Sequence, residues 1–147
     1  MRKDFGQRMI FYGMLLFLIG LLMGATILFA KNPITAIAGH VGALLTATFM
    51  IAVGAIWDRF SLSPRAAAAA LWTLVYSGYA NAIGVTLAAF WGAGQALPIA
   101  AAGNHASPIE EGIVSFFLVT GVPTVLASVA ILLWGLITAT RSTAGRR

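Results

Sequence analysis

The sequence predicts an all-α integral membrane protein, folded as a four-helix bundle that runs up-down-up-down. Two observations support this prediction, the composition and the spacing of the charges. The chain has 147 residues, of which 60% are hydrophobic and only 9% are charged, whereas a soluble domain carries roughly 25% charged residues. A water-soluble fold of this length could not bury so much apolar surface, so lipid is the expected solvent.

Several classes of function are excluded by the same composition. The net charge of +5 arises from nine Lys and Arg residues against four acids. The basic residues sit at the predicted helix ends, so this charge does not indicate nucleic-acid binding. The absence of cysteine excludes disulfides, thiolate metal ligands and a cysteine nucleophile. No phosphate loop, nucleophile elbow or pair of catalytic acids is present, which argues against a hydrolase or a zinc enzyme.

Four stretches with almost no charge define the predicted spans. A helix needs about 20 apolar residues to cross a bilayer, and we place the spans at 9–30, 34–57, 66–91 and 113–139, in one domain of residues 1–147. The third span ends near Trp91 because Gly, Pro and Asn residues follow it, as in a loop. The first span is longer than the core of a cleaved signal peptide, so we expect a retained helix.

Basic residues predict the orientation, because cytoplasmic loops are enriched in Lys and Arg. Eight basic residues fall on one side, namely Arg2, Lys3, Arg8, Arg59, Arg65, Arg141, Arg146 and Arg147. The opposite side holds Lys31 together with Glu110 and Glu111. We therefore expect a multi-pass membrane protein with both ends in the cytoplasm.

His40 is the only ionisable side chain inside a predicted span. Ionisable groups within a membrane usually serve a function, but a histidine can also bond a neighbouring helix as part of packing. Small residues share its helix face, at Ala36, Ala43 and Ala47. They would leave a slot for a flat macrocycle with the imidazole on its metal, or for another helix, and the sequence leaves both interpretations open.

The third predicted span has two distinct faces. One carries the aromatic residues Trp72, Tyr76 and Tyr79, and the other carries the small or polar residues Ser77, Asn81, Gly84 and Ala88. The Asn81 amide needs hydrogen-bond partners, and bonding between helices is the simpler interpretation. Thr86 on this span and Thr46 on the second are weaker candidates, since a threonine hydroxyl can bond its own helix backbone.

Other patterns predict packing or anchoring. Gly20 and Gly24 form a pair of small residues suited to close helix contact. Tryptophans near the span ends indicate interfacial anchors, at Trp57, Trp91 and Trp134. His105 falls in the long outer loop, where we expect it to be solvated.

Several short motifs carry a resemblance to known proteins. These are Lys31-Asn32-Pro33 ahead of His40, Tyr79-Ala80-Asn81, and then Ala89-Phe90-Trp91-Gly92-Ala93-Gly94 and Pro98-Ile99. They resemble the hydroxylaminobenzene mutases, small four-helix membrane isomerases that are related more distantly to styrene oxide isomerase. The resemblance covers roughly residues 10–138 and is most specific in the third span and the loop after it.

The resemblance implies a homotrimer that binds haem b near its subunit interfaces, with His40 as the axial ligand of ferric iron. It also implies an intramolecular rearrangement of a small aromatic substrate, without net redox change. In the epoxide isomerases ferric iron acts as a Lewis acid, and in the mutases hydroxylaminobenzene becomes 2-aminophenol. On this basis the expected catalytic residues are Tyr79, Asn81, Thr46 and Thr86, and the expected haem contacts are His40, Ala43, Ala47 and Tyr76.

The chain departs from the family pattern at two places. An asparagine and a glycine that follow the family histidine are replaced here by Thr46 and Ala47, and the polar pair of the epoxide isomerases falls on Thr86 and Phe90. The first departure is from both branches of the family, and the second is from the epoxide isomerases. The sequence of the third span favours the mutase reaction over the rearrangement of an epoxide to an aldehyde, which is the alternative enzyme. A non-catalytic haem-binding or assembly protein is the alternative of another class.

Overall fold

The computed structural model describes residues 2–144, which form helices joined by short connections. The helices are α1 (Arg2–Ala25), α2 (Pro33–Ala55), α3 (Pro64–Trp91), α4 (Pro98–Ala101) and α5 (Pro108–Ala144). Two 3-10 turns, Ile27–Phe29 and Trp57–Arg59, follow α1 and α2. No strand occurs between residues 2 and 144, so the all-α prediction is confirmed. Arg146 and Arg147, which contributed to the predicted orientation, lie outside the described residues.

Three helices are long and apolar enough to cross a membrane: Asp4–Ala25, Pro33–Ala55 and Pro108–Thr140. At 28 residues, α3 is also long enough, about 42 Å at 1.5 Å per residue. Polar residues such as Ser77 and Asn81 interrupt its apolar sequence, and it buries more residues than α2 does. A helix covered by protein on several sides needs less apolar surface toward lipid, which accounts for its composition.

The helix boundaries follow local sequence signals. Asn32 caps α2, because its side-chain oxygen accepts the Thr35 N–H at 3.2 Å. The third long helix ends at Trp91, where the third span was predicted to end, since Gly92 adopts a left-handed φ of 78°. The first helix ends at Ala25, short of the residue 30 predicted for the first span.

Successive long helices pack antiparallel, as expected for α1, α2 and α3 from their short connections. Along the α1–α2 contact, Gly6 approaches Gly54 at one end and Gly24 approaches His40 at the other. From one pair to the other the residue numbers rise along α1 and fall along α2, so the two helices are antiparallel. Because the pairs lie near opposite ends of the helices, the contact extends over almost the whole length of α1. The closeness of the contact follows from the small residues on both helices.

The α3–α5 contact has the same antiparallel sense. The Ser128 hydroxyl donates to the Ala70 carbonyl at 2.9 Å, and Gly84 lies against Leu118 nearer the other end of α3. Because α3 also packs along α2 and part of α1, it contacts all three of the other long helices.

The largest hydrophobic cluster includes Trp57, which is only 4% exposed. Its ring packs near Phe5 and Phe60, with centroid distances of 6.3 and 6.0 Å. The prediction of an interfacial anchor is therefore wrong for Trp57, because the turn after α2 directs it toward the core. Trp134, by contrast, is 61% exposed on α5, as an anchor requires.

Candidate functional site

The imidazole of His40 lies in the contact between α1 and α2. Its Nδ1 is 2.7 Å from the carbonyl oxygen of Gly20. A carbonyl oxygen can only accept, so Nδ1 carries the proton and donates it. In a neutral ring this leaves a lone pair on Nε2, and Nε2 has no hydrogen-bond partner among residues 2–144 and is not enclosed.

Glycines of α1 make the space for this ring. A Cβ at Gly24 would lie 2.8 Å from both Nδ1 and Cε1 of His40, and a Cβ at Gly20 would lie 2.9 Å from Cδ2 of Leu44. The predicted close-contact role of Gly20 and Gly24 is therefore confirmed. The slot that holds His40 is made by the neighbouring helix rather than by the alanines of α2.

The two alanines predicted to contact a haem are fully buried in the helix contact. A Cβ at Gly20 would come 3.3 Å from the Cβ of Ala43, and one at Gly13 would come 3.1 Å from the Ala47 carbonyl oxygen. Because α1 covers both alanines, the structure places Ala43 and Ala47 against a helix rather than beside an open slot. This is the second of the two interpretations that the sequence left open.

Thr46 and Asn81 line the same groove, between α2, α3 and α5. The groove has a volume of about 250 Å³, and Phe117 and Leu118 of α5 contribute apolar walls. Neither the Thr46 hydroxyl nor the Asn81 amide has a hydrogen-bond partner between residues 2 and 144. Ser77, on the same groove, is satisfied by the Leu74 carbonyl at 2.9 Å. Thr46 and Asn81 are thus the polar side chains that remain available to a bound molecule.

Tyr79 and Thr86 line a different groove, between α1 and α3, with a volume of about 310 Å³. The Tyr79 hydroxyl donates to the Tyr12 carbonyl at 3.0 Å, and the Thr86 hydroxyl donates to the Ala82 carbonyl at 2.6 Å. Both hydroxyls are therefore satisfied, and the groove is lined by apolar surface. The four predicted catalytic residues are therefore divided between two grooves and do not share one cavity.

Tyr76, predicted to contact the haem, lies on the side of α3 that faces α5. Its hydroxyl is 2.6 Å from the Thr120 hydroxyl, which itself donates to the Phe116 carbonyl at 2.6 Å. Tyr76 must therefore be the donor in this pair. Because His40 packs on α1 instead, the structure does not bring Tyr76 and His40 into one contact within the chain.

The Glu111 carboxylate holds the loop between α3 and α5 in place through hydrogen bonds to its backbone, a role that the sequence did not predict. Its Oε1 accepts the N–H groups of Gly94 at 2.9 Å and Ala106 at 3.2 Å, and its Oε2 accepts the Gln95 N–H at 2.9 Å. These bonds, first of all the one from Gly94, hold the pKa of the Glu111 carboxyl below its usual value. The signal in the sequence is an acid directly before an apolar span and after a glycine-rich loop.

The motif that begins the resemblance has a structural role at the same end of the molecule. The Asn32 side-chain amide donates to the carbonyls of Ala100 at 2.8 Å and Ala101 at 3.1 Å. The Lys31 ammonium donates to the Trp91 carbonyl at 3.1 Å. These bonds join the start of α2 to the end of α3 and to α4. His105, elsewhere in the loop, is exposed as expected.

Comparison with known proteins agrees with the motifs. The sequence model of a family described as styrene oxide isomerase matches residues 5–137. Hydroxylaminobenzene mutase HabA of Ectopseudomonas oleovorans is 40% identical over 126 residues, which cover 85% of this chain and 93% of that protein. Hydroxylaminobenzene mutase HabB of the same organism is 37% identical over 142 residues, covering 96% and 84% respectively. No solved structure matches the chain.

Proposed function

Because the chain belongs to the styrene oxide isomerase family, we propose that it is a membrane-bound isomerase of the hydroxylaminobenzene mutase type. It converts hydroxylaminobenzene to 2-aminophenol by a rearrangement within one molecule. The names of the two relatives support this reaction over the rearrangement of an epoxide. The substrate is small, aromatic and able to partition into a bilayer, which suits a chain of apolar helices.

The proposed arrangement in the membrane is a bundle of four spans. Three helices have the required length and hydropathy, and α3 is long enough and packs against the others. With eight basic residues on one side, both ends lie in the cytoplasm. We further propose that the protein works in the bacterial inner membrane as a homotrimer, as the resemblance implies.

His40 is the proposed axial ligand of a haem b. The residues fit this group, because the Nδ1–H of His40 is held by the Gly20 carbonyl while Nε2 keeps its lone pair, the usual state of a ligating imidazole. A haem needs one protein ligand to its iron, and no cluster of three His, Cys, Asp or Glu that could hold a free ion occurs among residues 2–144. When bound, ferric haem supplies a Lewis acid that polarises the substrate oxygen.

Thr46 and Asn81 are the proposed groups for orienting the substrate. The Asn81 amide can donate a hydrogen bond to one heteroatom of the substrate's hydroxylamino group and accept one from the other. The Thr46 hydroxyl can donate a hydrogen bond to the oxygen of the hydroxylamino group. Phe117 and Leu118 line the same groove and would contact the aromatic ring of the substrate. Neither polar side chain titrates, so they position the substrate and do not serve as a general acid or base.

The observation that carries the proposal is the 2.7 Å bond from His40 Nδ1 to Gly20. It supports a ligand role because it occupies Nδ1 and leaves Nε2 without a partner among residues 2–144.

A spectrum and a substrate comparison test the proposal. Purified protein should show a Soret band and a pyridine haemochrome of haem b, and should turn over hydroxylaminobenzene faster than styrene oxide. The His40→Ala variant should lose haem, whereas His105→Ala, a change in the exposed loop, should keep it. Unchanged haem in His40→Ala would overturn the ligand assignment. Faster turnover of styrene oxide would favour the epoxide isomerase, and haem without turnover of either substrate would favour a non-catalytic haem protein.

A further inference from the structure

Four glycines of α1 face α2, and one of them has an unusual neighbour. At Gly6, Gly13 and Gly20, spaced by seven residues, an added Cβ would meet backbone atoms or the carbon atoms of side chains on α2 or the turn after it. At Gly24 the neighbour is the imidazole of His40. The first three glycines therefore allow close helix contact, whereas the fourth makes room for a polar ring.

The contact at Gly24 involves one edge of that ring. A Cβ there would lie 2.8 Å from Nδ1 and Cε1 of His40 but 3.4 Å from Nε2. The same Nδ1 is 2.7 Å from the carbonyl oxygen of Gly20, which lies one helical turn before Gly24. The α1 helix thus holds the Nδ1 edge at two points and leaves the Nε2 edge free.

We propose that Gly20 and Gly24 are positioning residues for His40. The Gly20 carbonyl fixes the tautomer with the proton on Nδ1, and the missing side chain at Gly24 lets the ring reach that carbonyl. This inference rests on the proposed function, in which Nε2 binds haem iron. A hydrogen bond from the other ring nitrogen of a ligating histidine orients the ring and raises its basicity.

Gly24→Ala is the direct perturbation. Contacts below 3.0 Å force a neighbour to move, and the neighbour here is a side chain that can rotate away. Rotation of the ring would lengthen or break the bond to Gly20 and misdirect Nε2. Loss of such a partner typically lowers metal affinity by about 10- to 100-fold. Alanine favours a helix more than glycine does, so the substitution does not weaken α1 itself.

Gly13→Ala is the matched control. Its Cβ would lie 2.9 Å from Cγ1 of Ile51 and 3.1 Å from the Ala47 carbonyl oxygen and the Ile51 nitrogen, so it perturbs the same α1–α2 interface at least as strongly but meets no imidazole. Both variants add one methyl group to the same face of the same helix. A difference between them therefore reports on the imidazole and not on helix packing.

The experiment compares wild type, Gly24→Ala and Gly13→Ala as full-length purified proteins. Haem affinity is measured by transfer to a soluble haem acceptor, and the His40 tautomer by nitrogen-15 NMR of the haem-free proteins. We expect Gly24→Ala to bind haem about 10- to 100-fold more weakly and to lose the Nδ1–H tautomer, whereas Gly13→Ala retains both. Wild-type affinity in Gly24→Ala, equal losses in the two variants, or weaker binding with an unchanged tautomer would each overturn the inference.

The NMR measurement separates this inference from the proposed function. If the wild type binds no haem, or if His40→Ala keeps it, the proposed ligand role fails. The tautomer of haem-free wild type and Gly24→Ala still decides whether the glycines position the ring. A proton on Nε2 in the wild type would overturn the positioning role in either case.

Discussion

Replacing Glu111 by glutamine should release the loop between α3 and α5. The carboxylate accepts two N–H groups on Oε1, from Gly94 and Ala106, and one on Oε2, from Gln95. A glutamine side chain has one oxygen and one NH₂, so whichever way it turns, the NH₂ faces at least one backbone donor. At least one bond is lost outright, and the others lose their ionic character.

The size of the effect follows from these bonds. Hydrogen bonds to a charged group contribute about 1.5–3 kcal/mol each, and neutral ones about 0.5–1.5 kcal/mol. Losing one charged bond and weakening two others therefore costs at least about 3 kcal/mol in the free energy of loop opening. At 1.4 kcal/mol for each power of ten, this corresponds to roughly a hundredfold change in the opening equilibrium.

Amide hydrogen exchange measures this opening directly. In Glu111→Gln the Gly94 amide should exchange roughly a hundredfold faster than in the wild type. Glu110→Gln is the control, because it removes the same charge from the neighbouring residue, whose Oε2 instead accepts from the Ser107 N–H and hydroxyl. It should leave the Gly94 amide unchanged. Exchange at the wild-type rate in Glu111→Gln would refute the assigned role.

The pH dependence of the same amide provides an independent check. The folded-state pKa of Glu111 is lowered from its usual 4.5, chiefly by the Gly94 N–H. The charged bonds therefore stabilise the loop fully above about pH 4.5, and this stabilisation is lost as the pH falls through the lowered pKa. Gly94 exchange, corrected for intrinsic rates, should accelerate over that acidic range in the wild type and stay level in Glu111→Gln.

The other predictions concern topology, packing, substrate binding and the oxidation state of iron. A cysteine at Asn104 should be labelled by an impermeant reagent from outside, and a reporter after Arg147 should be cytoplasmic; labelling only after permeabilisation would contradict the orientation. Ala47→Phe should lower the thermal stability and dissociate the oligomer, because Ala47 is fully buried and overpacking typically costs about 1–3 kcal/mol; a stable oligomer that lacks only haem would instead indicate a cofactor slot. Asn81→Leu should raise KM for hydroxylaminobenzene without lowering the melting temperature, whereas Thr86→Val should leave KM unchanged; the reverse pattern would exchange their roles. Dithionite should suppress turnover and air should restore it, because ferrous iron is the weaker Lewis acid; equal rates in both states would remove that role.

The helices could be predicted from the sequence because the signals that mark a helix and its ends are local. Apolar runs bounded by charges or by Gly and Pro mark helices whatever their neighbours are. The end of α3 is an example, since Gly92 takes the left-handed φ that stops a helix. The close approach of α1 to α2 was likewise visible in Gly20 and Gly24, as two small residues one turn apart have few other uses inside a span.

The candidate site was harder to predict, because helical periodicity shows which residues share a helix face but not what packs against that face. The small residues on the His40 face of α2 could have bordered either a bound macrocycle or a neighbouring helix. Only the position of α1 in the structure shows that a helix covers Ala43 and Ala47. Glu111 illustrates the same limit for a loop. Its three donors lie between 5 and 17 residues away along the chain, and no local pattern connects them to it.

Hydrogen bonding within the spans separates structural polar residues from functional ones. Lipid offers no alternative partner to a hydroxyl or an amide, so a polar side chain that serves the fold should be bonded to protein. Tyr79 and Thr86 meet this requirement through the Tyr12 and Ala82 carbonyls, which makes them parts of the α1–α3 contact. Asn81 and Thr46 do not meet it, although they face a common groove. Their unused hydrogen-bonding capacity therefore supports the proposal that these two side chains orient a polar group of the substrate.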